Sequence, residues 1–252
     1  MGICLATGSK TCRGGHSNLI KDPFNLESSV RYYQQQANSC QLTEEESIEW
    51  LTLASSRPSS QNDLEQILTQ VTQLHGTKPC LKVAYVAFEA IQAWRLGQLQ
   101  NAEQCIHQHA GFLSQPIHPL SARMRIFFNM VVQLVKLRQQ NSQLYHPDAT
   151  ARPLVVLGES HSLPLAHLPL RFGSQTYQPE NRFVIGLKMH HLANPKASYH
   201  ALIVQEHFAQ LSQKNDWCAL LFCIGEIDCR PNEGIWHVIN TRVKQADEVI
   251  EL

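Results

Sequence analysis

The chain has 252 residues, 43% of them hydrophobic, and balances 21 Lys and Arg against 21 Asp and Glu for a formal net charge of zero. That is enough apolar material for a sizeable core, and no net field draws the protein to nucleic acid or to an anionic membrane. Eight cysteines without dense spacing or a CxxC pair exclude a secreted disulfide scaffold and a zinc knuckle, and no apolar run reaches the ~18 residues a transmembrane helix needs. Reduced thiols and a cytoplasmic location are therefore expected.

Residues 1–40 are rich in Ser, Gln, Asn and Gly without a sustained period and read as irregular. A helical region is expected over 41–145. Thr43-Glu44-Glu45-Glu46 is a capping box, Ile48, Leu51 and Leu53 supply part of an apolar face, and Arg57-Pro58 ends the helix. A second helix runs from Asn62, with Leu64, Ile67, Leu68, Val71 and Leu74 at helical spacing and Gly76 as its stop. In a third, Val83, Val86, Ala87, Ala90, Ile91 and Trp94 share a face. Leu96-Gly97 breaks it, and Ala102, Cys105, Ile106 and Ala110 begin a fourth. A glycine at the corner and a small alanine five residues on let two helices cross closely. With Gly97 and Ala102 in those places, residues 80–113 resemble one tetratricopeptide repeat. A last helix, from Leu120 to about Gln140, has an apolar face wide enough to require a covering neighbour.

Two prolines, Pro147 and Pro153, end the helical pattern, and a second region is expected over 153–252. Its apolar runs are short and continuous: Leu154–Leu157, Phe183–Leu187 and Trp217–Ile224 read as strands, with a helix from Lys196 to Gln213. Strands alternating with helices predict a parallel sheet.

The chemistry-bearing residues follow those strands. Gly158-Glu159-Ser160-His161 places a serine where an open sheet gathers reactive groups. The same residues suit a structural role, with Gly158 turning the chain and Ser160 capping a helix. Phe183-Val184-Ile185-Gly186-Leu187-Lys188 sets a glycine in an apolar run, where it permits close approach of the backbone to a substrate or marks a bulge. Phe222-Cys223-Ile224-Gly225-Glu226-Ile227-Asp228-Cys229-Arg230 ends an apolar run in charged residues, which suit a site or a solvated Asp228–Arg230 pair. His161 is too close in sequence to Ser160 to be its base, adjacent His190 and His191 offer one functional ring at most, and Cys218, Cys223 and Cys229 read as small core residues.

In that order, GESH, IGLK and GEIDCR are similar to the motif blocks of SGNH or GDSL-like hydrolases, over residues 153–234. The resemblance implies an incomplete doubly wound parallel sheet, SGNH/flavodoxin-like, behind an all-α repeat-like region. It implies a serine esterase or acyltransferase acting on ester substrates, acylated glycans among them, without cofactor or metal. Ser160 attacks, Gly186 and the Ser160 amide hold the oxyanion, and Glu226, Asp228 or His237 orient or accept protons. Two departures stand out. Ile227 occupies the place of the asparagine that completes the oxyanion hole, and His237 is preceded three residues earlier by Gly234 where the family has aspartate. A truncated hydrolase domain is therefore expected. The competing expectation is a noncatalytic module that binds a protein partner on its helical region.

Overall fold

The computed structural model describes residues 25–58, 61–75, 78–114, 122–145, 148–193, 198–214 and 219–225. Helix α1, Leu26–Asn38, lies within the stretch expected to be irregular. Asn25 caps it by accepting the Ser28 amide at 3.0 Å, and Leu26, Ser29, Tyr33 and Ala37 bury at helical spacing. With only one leucine and one tyrosine among them, that stripe is too sparse for hydropathy to register.

Helix α2, Glu44–Ser56, begins at the expected capping box: the Glu46 amide donates to Thr43 Oγ1 at 3.2 Å and the Thr43 amide to Glu46 Oε2 at 2.9 Å. Helices α3 (Gln61–His75), α4 (Pro79–Arg95), α5 (Leu99–His109) and α6 (Ala122–Gln140) follow the predicted periodicity. The α4–α5 corner is a Schellman cap in which Gly97 adopts φ +72° while its amide reaches Trp94 O and the Gln98 amide reaches Ala93 O. A Cβ on Gly97 would also stand 3.1 Å from the His167 ring. Conformation and space thus both select glycine there, and Ala102 is fully buried beside the corner. The broad face of α6 buries Met124, Phe128, Val131 and Val135, and its Phe127 ring meets Phe183 edge-on, 5.7 Å between centroids.

Beyond α6, β1 (Arg152–Gly158), β2 (Leu170–Phe172), β3 (Gln175–Phe183) and β4 (Ala219–Cys223) form a four-stranded sheet in the order β2-β3-β1-β4. Strand β1 pairs in parallel with β3 and β4, as the alternation of elements predicts, but β2 runs antiparallel to β3 and makes the sheet mixed. The strand expected over Phe183–Leu187 is in fact β3, which ends at Phe183. Its sequence, QTYQPENRF, hides it, because ladder bonds to β1 rather than an apolar run hold it in place. Pro179 is tolerated because β2 covers only Gln175–Tyr177, which leaves β3 an outer edge from there on. Helices α7 (Met189–Ala193) and α8 (Tyr199–Gln213) lie between β3 and β4. Among the described residues, no helix is long and apolar enough to cross a membrane.

The helical and α/β parts share one core, in which Trp94 and Phe128 belong to the same buried cluster as Leu157, Leu163, Phe183 and Ile203. Hydrogen bonds cross the seam. Trp94 Nε1 donates to Leu163 O at 2.9 Å, His167 Nε2 to Trp94 O and Arg95 O at 2.8 and 2.9 Å, and His207 Nε2 to Ser56 O at 2.8 Å. Arg57 grips both oxygens of Glu206 at 2.8 Å each. Of these donors, His167 and His207 meet the last carbonyls of α4 and α2, which a helix cannot satisfy internally.

His207 is fully buried, and burial, reinforced by the charges of Arg182 and Arg95, pushes its pKa down to about 4 from 6.5. A histidine that resists protonation when folded contributes stability that is fully present above pH 6.5 and lost as pH falls from 6.5 towards 4. Thermal melts should show stability dropping through that window, by roughly 3 kcal/mol at most from this group. His207→Gln, which keeps a donor for Ser56 O, should flatten the profile there; an equal slope in both proteins contradicts the assignment.

Candidate active site

Parallel pairing fixes where the motif blocks meet. Gly158 closes β1 in register with Phe183, the end of β3, on one side and with Cys223, the end of β4, on the other. The carboxyl ends of the three parallel strands therefore share one edge, and the segments after them begin side by side. The Val184 amide donates to Gly158 O at 2.8 Å and the Glu159 amide to Cys223 O at 3.1 Å. Gly158 is glycine for lack of room, since a Cβ would lie 2.2 Å from Cys223 O. Its φ is not positive, so close approach of β4 selects it rather than a turn.

Glu159 is 1% exposed, and three donors converge on its carboxylate. Ser160 Oγ–H reaches Oε2 at 2.6 Å, the His161 amide reaches the same oxygen at 3.3 Å, and His161 Nδ1 lies 2.8 Å from Oε1. A buried carboxylate is tolerable when hydrogen bonds replace its water in this way. Glu159, and not Ser160, caps the short 3₁₀ helix Ser160–Leu165. The half-buried Ser160 gives its hydroxyl proton to Glu159 and keeps its oxygen lone pairs for another partner. His161, 51% exposed at its side chain, pairs with Glu159 rather than with the serine, in keeping with the objection to adjacent residues as a nucleophile–base pair.

The turn after Ser160 is anchored by a residue the sequence reading passed over. Asn181, buried on β3, donates through Nδ2 to Ser162 O at 2.9 Å and to Ser162 Oγ at 3.0 Å. A buried asparagine in a strand is costly unless bonded. Its place five residues before Gly186 is the one sequence cue to it.

Gly186 lies in the turn Val184–Leu187, with φ +76°. The Ile185 amide donates to Ser56 Oγ at 3.1 Å, Ile185 O accepts from His200 Nε2 at 3.1 Å, and the Leu187 amide closes the turn on Val184 O at 3.3 Å. His200 stacks between His191 (4.1 Å between centroids, 3° between planes) and Tyr199 (3.9 Å). His191 Nδ1 accepts the Lys188 amide at 3.1 Å, which accounts for one ring of the His190-His191 pair. Among the described residues, no three His, Cys, Asp or Glu side chains are grouped to hold a metal. The amides of Ser160 and Gly186 have no acceptor among the described residues.

On the β4 side, burial raises the Cys223 thiol pKa and nearby Glu159 raises it further, so this cysteine is a poor nucleophile. Gly225, φ +108°, faces Met189, whose Cγ would lie 3.6 Å from an added Cβ. Glu226, Asp228 and His237, the expected acid–base residues, lie outside the described residues. Ser160 and Gly186 are thus at one edge, and Ser56, Asn181, Ser198 and His200 join them as supports that no motif marked.

Comparison with protein-family models, curated proteins and solved structures gives no match.

The register makes a direct prediction. Gly158→Ala forces a methyl into the β4 backbone and should destabilise the protein by about 2–3 kcal/mol or more. A chemical-denaturation midpoint equal to that of the unmodified chain contradicts the β1–β4 pairing.

Proposed function

We propose that the protein is an SGNH-like serine esterase or acyltransferase acting on ester substrates, acylated glycans among them. The observation that carries the reading is the register of Gly158 with both Phe183 and Cys223, which puts the segments beginning Glu159-Ser160, Val184-Ile185-Gly186 and Ile224-Gly225 at one sheet edge. The order β3-β1-β4 supports it, because the chain leaves β1 for one neighbour and returns to the other side. Open α/β sheets bind ligands at such a reversal, outside the carboxyl ends of the strands.

In this reading Ser160 Oγ attacks the acyl carbon as its proton passes to a base, and the carbonyl oxygen takes up the negative charge. The Ser160 and Gly186 amides, which have no acceptor among the described residues, suit an oxyanion. Collapse of the adduct breaks the ester C–O bond, and the alcohol departs with a proton. Water or a second hydroxyl then takes the acyl group from the serine. Glu226, Asp228 and His237, which follow β4 in the chain, are the candidates to orient groups and carry the proton.

One observation favours a second reading, that of a noncatalytic module binding a protein segment. A recess of about 660 Å³ on the helical part is lined by Leu64, Leu68, Gln92, Gln98, Asn101 and Gln108. Side-chain amides of this kind can pair with a peptide backbone.

Two experiments separate the readings. Ser160→Ala should abolish turnover of small acetyl esters while leaving the thermal melt within a few degrees of the parent. A fluorophosphonate should add once to the parent chain, at Ser160, and not to the variant. Turnover above a protein-free blank that survives the substitution sinks the esterase reading.

A further inference from the structure

We infer that His200 and Ser56 are positioning residues that aim the Gly186 amide, so that the helical part of the protein completes the active site. The inference rests on the esterase reading given above.

In a trans peptide the C=O of one residue and the N–H of the next point in opposite directions. Ile185 O is held by His200 Nε2, so the Gly186 N–H of the same plane is directed away from His200. The plane on the other side of Ile185 is held as well, since the Ile185 N–H donates to Ser56 Oγ. With both planes clamped, the turn cannot rotate its peptides without breaking a buried hydrogen bond. Gly186 alone in this turn has left-handed φ, and its N–H is the group left without an acceptor among the described residues.

The clamps are themselves fixed. His200 is 8% exposed and stacked between His191 and Tyr199. Because Nε2 meets a carbonyl, it carries the proton, and Nδ1, 3.3 Å from Ser198 Oγ, is the acceptor. Ser198 caps α8 by accepting the His200 amide at 3.2 Å. Ser56 is 2% exposed at the last turn of α2, and its carbonyl is held by His207 of α8. Helix α8 thus holds the turn through His200 and the Ser56 backbone through His207. Packing locks both clamps, which is what a preorganised donor requires.

The test uses the full chain, p-nitrophenyl acetate as substrate, and four variants whose melts are recorded alongside. His200→Leu removes the donor to Ile185 O. It should lower kcat by about tenfold or more and change KM by less than about threefold, because an oxyanion donor acts on the transition state rather than on bound substrate. His200→Gln, which can place an N–H near the Nε2 position, should restore most of kcat. A variant that had merely loosened the fold would not show this split or this rescue. Ser56→Ala frees the opposite side of Ile185 and should show the same kcat-dominated loss. It carries the test alone should the leucine variant melt below the assay temperature.

If Ser160→Ala is inactive while folded His200→Leu and Ser56→Ala both keep kcat within about twofold of the parent, the positioning role is overturned and the esterase reading stands. If the parent chain shows no turnover, or Ser160→Ala retains it, the esterase reading fails and the inference with it.

Discussion

The last carbonyls of α2 and α4, buried or partly so, cannot be bonded within their own helices. The rest of the structure is arranged around that requirement. Three side chains answer it at four carbonyls: Arg95 reaches Ser55 O, His207 reaches Ser56 O, and His167 spans Trp94 O and Arg95 O. Two of these, His167 and His207, come from the α/β part. The helical part therefore cannot separate from the sheet without exposing unpaired carbonyls, and the shared apolar core adds the area term to the same seam.

This seam reaches the candidate site. Leu163 O, in the turn that follows Ser160, accepts Trp94 Nε1, and the turn that contains Gly186 rests on Ser56 Oγ. The segments after β1 and β3 are thus each supported twice, once by the sheet that delivers them and once by a helix lying behind them. Loops held in this way can present a hydroxyl and an amide in fixed directions, which is what acyl transfer asks of a protein that must stabilise charge without reorganising.

Electrostatics at the edge are set by one buried carboxylate. Glu159 gathers the serine hydroxyl and the His161 ring, and it helps to keep the Cys223 thiol pKa raised. The carboxylate reaches His161 Nδ1 as well as the serine and also serves as the helix cap.

Much was legible in the sequence wherever a local rule operates. The capping box at Thr43, the glycine corner at 97, the periodic faces of α3 to α6 and the apolar run of β1 each follow from neighbours within a few residues. So did the strand-end position of Ser160. Helix α1 and strand β3 were not legible, because a sparse stripe and a polar strand become stable only against partners distant in the chain. The motif around Gly158 suggested a turn, yet its glycine answers to the backbone of β4 some 65 residues later (223 − 158), a contact that exists only after the sheet forms. Asn181, Ser56 and His200 belong to no motif, since their partners are backbone groups whose identity leaves no mark on composition or spacing. The sequence by itself determined which residues could do chemistry. Only the tertiary structure decided which stand together and in which direction their donors point, because hydrogen bonds between distant segments set those directions.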